Sequence, residues 1–117
     1  MSGRFSTEIL DLAKQNRREE RELLRSATLE LLERSLAKSP IPVEEAFVFG
    51  SLVRPFSFDS RSDVDLAVHA LDPRDYFSLK TYLEQELQRE VDLLEIETCR
   101  FSDKIRRTGQ RWTRTNI

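Results

Sequence analysis

Cysteine is almost missing from this chain: Cys99 stands alone among 117 residues. A single thiol excludes an internal disulfide framework and fits a reducing cytoplasm. Near a strand end, Cys99 reads as packing rather than as a nucleophile. Histidine is as scarce. His69 has no second histidine and no cysteine nearby, which argues against zinc and leaves it as the polar end of a strand. No apolar run approaches the ~20 residues of a membrane span, and the N-terminus lacks an apolar signal segment, so no membrane role is expected. Repeats and low-complexity tracts are absent too. With 117 residues there is room for one core and little else.

Charge of one sign is not in excess overall, but it is unevenly placed. The net charge is −2, yet residues 40–98 hold 13 acidic and 5 basic side chains, a balance of −8. Residues 99–117 hold 6 basic and 1 acidic, a balance of +5. An acidic middle suits cations and argues against nucleic acid docking there. The basic tail (Arg100, Lys104, Arg106, Arg107, Arg111 and Arg114) suits phosphates or an acidic partner, or is a solvated helix face with a frayed end. Trp112, among those arginines, can stack on a base, anchor in a protein pocket or cover a sheet edge.

The first third reads as helix, in one or two pieces. Ser6 or Thr7 can cap it, with Glu8 and Asp11 in the first turn, and Ile9, Leu10, Leu12 and Ala13 form a short apolar patch. Residues 15–22 are almost wholly polar. Leu23, Leu24, Ala27, Leu31, Leu32 and Leu36 then recover helical spacing as a face that packs on the sheet, and Pro40 and Pro42 end the element. The division expected is an N-terminal helical extension over 1–22 and a compact domain over 23–117.

Three aspartates in apolar surroundings carry the chemistry. The runs are Phe47-Val48-Phe49-Gly50-Ser51, Ser62-Asp63-Val64-Asp65-Leu66-Ala67-Val68 and Val91-Asp92-Leu93-Leu94. An ionised carboxylate is seldom buried without a partner, and a divalent cation is the partner that would make this pattern tolerable. On a strand, Asp63 and Asp65 share one face at roughly 6.6 Å between Cα atoms. That span lets both reach one metal or bracket two ions about 3.5–4 Å apart. Oxygen-only ligands favour Mg²⁺ or Mn²⁺.

Chain direction brings the third acid in. Residues 73–88 read as a helix with Pro73 in its first turn and Tyr76, Phe77, Leu79, Tyr82, Leu83 and Leu87 as its apolar face. Strand, crossover helix and strand make parallel neighbours, so Asp65 and Asp92 start at the same end of a sheet. If Ala46–Phe49 runs antiparallel to them, its end delivers Gly50 and Ser51 to that place. Backbone N–H groups at such a turn can face a phosphate, with the Ser51 hydroxyl and Arg54 adding a donor and a charge.

These residues resemble the minimal nucleotidyltransferases of the DNA polymerase β-like superfamily, over roughly residues 24–110 and including the Ile105…Gly109 stretch. The resemblance implies an α+β nucleotidyltransferase fold, a small mixed sheet flanked by helices. It implies nucleotidyl transfer from a nucleoside triphosphate, ATP, with Mg²⁺ or Mn²⁺. By motif, Asp63, Asp65 and Asp92 are the catalytic metal ligands, Asp92 also accepting the proton of the attacking hydroxyl. Gly50 and Ser51 hold the phosphates. Two features depart from the family pattern: the stretch from Leu52 to Ser62 is one residue longer than the commonest spacing, and Pro55 replaces a frequent Gly after Arg.

No room remains for an acceptor-binding domain, so the acceptor is another chain, a dimer mate or a macromolecule. The minimal family is often paired with a helical HEPN-type toxin, which implies an antitoxin that transfers AMP to a toxin tyrosine. Two alternatives stand beside it: a binding module that neutralises its partner by contact alone, and an RNA-directed transferase resting on the basic tail.

Overall fold

The protein, described over residues 2–114 of a computed structural model with side chains from residue 7 onward, is built on one four-stranded sheet. A long helix α1 (Ser2–Ala37) leads into β1 (Glu45–Phe49), β2 (Val64–His69), α2 (Tyr76–Leu87), β3 (Val91–Glu95), α3 (Ser102–Thr108) and β4 (Gln110–Thr113). The strand order is β3-β2-β1-β4, with β2 and β3 parallel and β1 antiparallel to both of its neighbours. Both the mixed sheet and its flanking helices agree with the sequence reading.

Alternation along the strands sets two unequal faces. Ala46, Val48, Val64, Leu66, Val68, Val91 and Leu93 point to one face and are buried under Leu32 and Leu36 of α1 and Leu79, Leu83 and Leu87 of α2. Phe47 and Ala67 point to the other, where Ile96 and Ile105 join them in a smaller cluster with Cys99 packed at its side. Cys99 is packing, as its isolation suggested.

Local chemistry explains the crossover. The Asp72 carboxylate accepts from the Arg74 N–H at 3.0 Å and Pro73 opens the turn into α2, which is capped at its end by Gln88 in the left-handed region, φ 53°. Three side chains of α2 then tie it to its neighbours. Tyr76 Oη donates to the Leu93 carbonyl at 2.7 Å, Lys80 Nζ donates to the Val91 carbonyl at 2.6 Å, and Tyr82 Oη donates to the Ser35 carbonyl at 2.8 Å. The first two tie α2 to β3, the strand that carries Asp92, and the third ties α2 to α1.

The structure corrects several details. Helix α1 is one continuous element beginning at Ser2, so Thr7 lies inside it, no acid sits in its first turn and a cap at residue 6 or 7 is not used; the Ser6 side chain is outside the described ones. Leu23, Ala27 and Phe77 face solvent, the last at 76% exposure, while Thr28 and Ser35 take buried positions on α1. In the tail after residue 99, residues 102–108 form α3 and 110–113 a fourth strand, in which Trp112 sits opposite Ala46 and packs on the larger core, covering the sheet edge; the frayed end expected for the tail would fall on 115–117, outside the described residues. Gly109 allows this, because a Cβ there would meet the carbonyl oxygens of Ile105 and Val48 at 2.6 and 2.8 Å. Among the described residues no helix is long and apolar enough to cross a membrane.

Phe58 is fully buried and Phe77 is largely exposed, which separates two aromatic residues that look alike in sequence. Phe58→Ala is expected to cost about 3–5 kcal/mol in urea unfolding. Phe77→Ala should stay within about 0.5 kcal/mol of the parent.

Candidate functional site

The acids gather at the end of the sheet where β2 and β3 begin. Asp65 lies opposite Asp92 in the parallel register and opposite Phe49, the last residue of β1. Both point to the smaller face, because Val64, Leu66, Val91 and Leu93 take the larger one. Asp63 is not within the strand, as the alternation had suggested: β2 starts at Val64, one residue later, and the Asp63 side chain is exposed at the rim. Asp92 is exposed too, and Asp65 is half-buried.

Electrostatics shows how close the three are. Burial raises the Asp65 carboxyl above its ordinary value, and the charges of Asp92 and Asp63 push it further, against a smaller opposite pull from Arg54. Among the described residues no three His, Cys, Asp or Glu side chains are arranged to hold a metal ion. The carboxylates therefore share a neighbourhood without forming a closed ligand set. A hard divalent cation fits this donor set: every available group is a carboxylate oxygen, and its charge would cancel the repulsion now borne by Asp65.

The Gly-Ser turn roofs this cluster. Residues Gly50–Val53 form a 3₁₀ turn, with Gly50 at φ 73°. A Cβ on Gly50 would collide with the Asp65 carboxylate, so glycine is required both by the backbone and by the acid beneath it. Ser51 follows within the turn, and Arg54 Nε donates to the Gly50 carbonyl at 3.4 Å. The structure thus brings Gly50, Arg54, Asp63, Asp65 and Asp92 together, with Ser51 one residue along.

Beside the turn opens a cleft of about 520 Å³, bounded by Phe49, Gly50 and Arg54 on one side and by Phe101, Lys104, Ile105 and Thr108 of the α3 region on the other. Sequence reasoning placed Lys104 only in a generic basic tail and did not single out Phe101 or Thr108. Their spacing of three to four residues on one helical face was the available signal. Other tail arginines are engaged elsewhere: Arg111 pairs with Glu45 at 2.6 Å, Arg114 donates to the Val43 carbonyl at 3.1 Å, and Arg106 lies over the Phe47 ring. His69 stands at the far end of β2 between Glu45 and Glu97, at 3.7 and 3.6 Å.

Comparison with known proteins agrees with this fold. The family described as polymerase beta, nucleotidyltransferase matches residues 30–115. Among solved structures, a toxin–antitoxin crystallised with AMP-PNP is 25% identical, covering 72% of this chain and 74% of that one with a TM-score of 0.57. A point mutant of the MntA-HpeT toxin–antitoxin is 23% identical, with 78% and 72% covered and a TM-score of 0.51. A candidate minimal nucleotidyltransferase is 27% identical, with 80% and 93% covered and a TM-score of 0.49. No curated protein matches the chain.

Asp65→Asn removes a charge that its surroundings oppose, so in chelator the variant should melt at a higher temperature than the parent. Mn²⁺ should raise the melting temperature of the parent and not that of the variant. A drop in stability for Asp65→Asn without metal would refute the repulsion. Gly50→Ala should cost at least about 1–2 kcal/mol in urea unfolding from the left-handed backbone, with the clash against Asp65 adding to it.

Proposed function

The chain belongs to the polymerase beta nucleotidyltransferase family, and from that membership we propose that it transfers AMP from ATP to a hydroxyl on a macromolecular acceptor. The observation that carries this reading is Asp65, half-buried beneath Gly50 and pushed up by Asp92 and Asp63. Charge of that kind is held together for a cation, and a Gly-Ser turn above it suits a phosphate chain. Asp63, Asp65 and Asp92 would hold Mg²⁺ or Mn²⁺, which when bound neutralises phosphate charge and aligns the displacement.

The chain's own groups have separate tasks. Backbone N–H groups at Gly50 and Ser51, with the Ser51 hydroxyl, grip the distal phosphates. Arg54 and Lys104, on opposite sides of the cleft, offset further negative charge, and the apolar walls from Phe49 and Phe101 exclude water around the nucleoside. The acceptor oxygen forms a bond to the α-phosphorus as the bond to the bridging oxygen breaks, so pyrophosphate leaves. The hydroxyl proton passes to an Asp92 carboxylate oxygen. On this reading residues 23–117 carry the transferase and 1–22 extend from it.

The acceptor we infer is a tyrosine of a HEPN-type toxin, which makes the protein an antitoxin. Support comes from the likeness to a toxin–antitoxin crystallised with AMP-PNP. A second reading, neutralisation by contact alone, is favoured by one feature: Ile9, Leu10 and Leu12 on α1 are 50%, 57% and 61% exposed, apolar side chains left uncovered among the described residues.

The test uses α-labelled ATP, Mg²⁺ and the co-purifying partner. The parent is expected to label the partner, and Asp63→Asn or Asp65→Asn to lose at least about 100-fold in rate with an unchanged circular dichroism spectrum. Labelling that survives both changes would sink the transferase. Full neutralisation of the partner by Asp63→Asn would instead favour contact alone.

A further inference from the structure

The polar stretch of α1 and the unusual loop after Ser51 meet at one residue, Phe56. Its backbone lies at φ 62°, a left-handed conformation that crowds a Cβ and is rare for a bulky side chain. The Ser57 N–H donates to the Arg54 carbonyl at 3.3 Å, so residues 54–57 form a turn with Pro55 second and a positive φ third. That is the type II pattern, which normally asks for glycine where Phe56 stands.

Three side chains from one face of α1 hold this turn. Glu22 Oε2 accepts from the Phe56 N–H at 2.8 Å, and the Arg18 guanidinium lies 4.2 Å from the centre of the Phe56 ring. Arg25 donates to the Leu52 carbonyl at 3.2 Å and binds both oxygens of Glu22 at 2.8 and 2.9 Å. Positions 18, 22 and 25 follow the i, i+4, i+7 spacing of a single helical face. Leu52 and Phe58 bury the two ends of the loop in the core, while residues 54–57 between them are exposed. Over that exposed apex, α1 supplies the ties.

We propose that Glu22, supported by Arg25 and Arg18, is a positioning residue for the nucleotide: it locks the strained apex so that the Gly50–Arg54 turn keeps the geometry that grips phosphate. The nucleotide half of this inference rests on the transferase reading above. A residue in a strained conformation persists only where its surroundings over-determine it. Without Glu22 the apex relaxes, and Arg54, the first residue of the turn, moves with it. The Glu22 carboxyl is held at about 2 by Arg25 and the Phe56 N–H, so the acceptor is charged under all ordinary conditions. Residues 18–22 then serve the transferase as well as the extension.

The experiment compares Glu22→Ala, Glu22→Gln, Phe56→Gly and the double variant Glu22→Ala/Phe56→Gly in the full chain with its partner. Two quantities are read: hydrogen exchange at the residue 56 amide without nucleotide, and KM and kcat for Mg²⁺-ATP. Glu22→Ala should speed exchange by at least about tenfold. It should raise KM about tenfold with kcat within about twofold. Glu22→Gln, whose amide oxygen still accepts, should fall between. Phe56→Gly should rescue most of the lost KM in the double variant, because glycine takes φ > 0 without strain; a general loss of folding would not be rescued this way. Unchanged exchange in Glu22→Ala overturns the clamp. Faster exchange with an unchanged KM overturns the positioning role. If the parent itself binds no nucleotide while exchange still responds, the transferase reading falls and only the clamp stands.

Discussion

Everything at this site depends on keeping like charges together on a small sheet. Asp65 sits across from Asp92 in the β2–β3 register, half-buried, with Asp63 near enough to add to the repulsion. Nothing in the acids favours that arrangement. The restraint comes from the opposite face of the same strands, where Val64, Leu66, Val91 and Leu93 are at most 1% exposed. Period-two alternation makes the two facts one: burying the apolar set fixes the direction of the acidic set. A one-residue slip of either strand would expose the core and bury the carboxylates, so the register is strongly held.

The unequal cover of the two faces explains where a site can open. Helices α1 and α2 span the larger face, and hydrogen bonds from Tyr76, Lys80 and Tyr82 tie them to β3 and to each other. The smaller face is covered by a seven-residue helix, α3, whose Ile105 packs against Phe47 and Ala67. At the Gly50 end that layer is incomplete, and the gap is the cleft between the turn and α3. Rigidity on one side and an opening on the other follow from one topology. The antiparallel β1 matters here, since its C-terminal end must arrive where its parallel neighbours begin.

Alternation of aspartate with valine and leucine made β2, β3 and the shared end of their acids legible before any coordinates, and the apolar run into Gly50 did the same for β1 and its turn. Those features are local in sequence and strong in period. Others left no such mark. Strand β4 is four residues with a single large apolar side chain, Trp112, so it offers no period to count, and it forms because Gly109 lets the chain pass close to Val48. The face of α1 was misjudged at Leu23 and Ala27 because several apolar residues compete over two turns, and packing on α2 selects the phase that buries Thr28 and Ser35 instead. Asp63 fell outside its strand because pairing ends are set by the neighbour, here β3 beginning at Val91. Polar residues 15–22 were the least legible of all, since a hydrophilic helical face says nothing about a loop 34 positions away.

That last point turns on how strain is distributed. In a loop built around glycine, a left-handed residue needs no outside help. Here Pro55 presets the turn and Phe56 bears a conformation that costs roughly 1–2 kcal/mol for a residue with a Cβ. A charge-assisted hydrogen bond to the Phe56 N–H works against that cost. The charged acceptor is Glu22, itself held by Arg25. Pro55, Phe56 and the polar face of α1 are therefore three parts of one solution. Changing Glu22 or Arg25 without changing Phe56 leaves strain uncompensated beside the turn. Changing Phe56 to glycine removes the reason for the clamp.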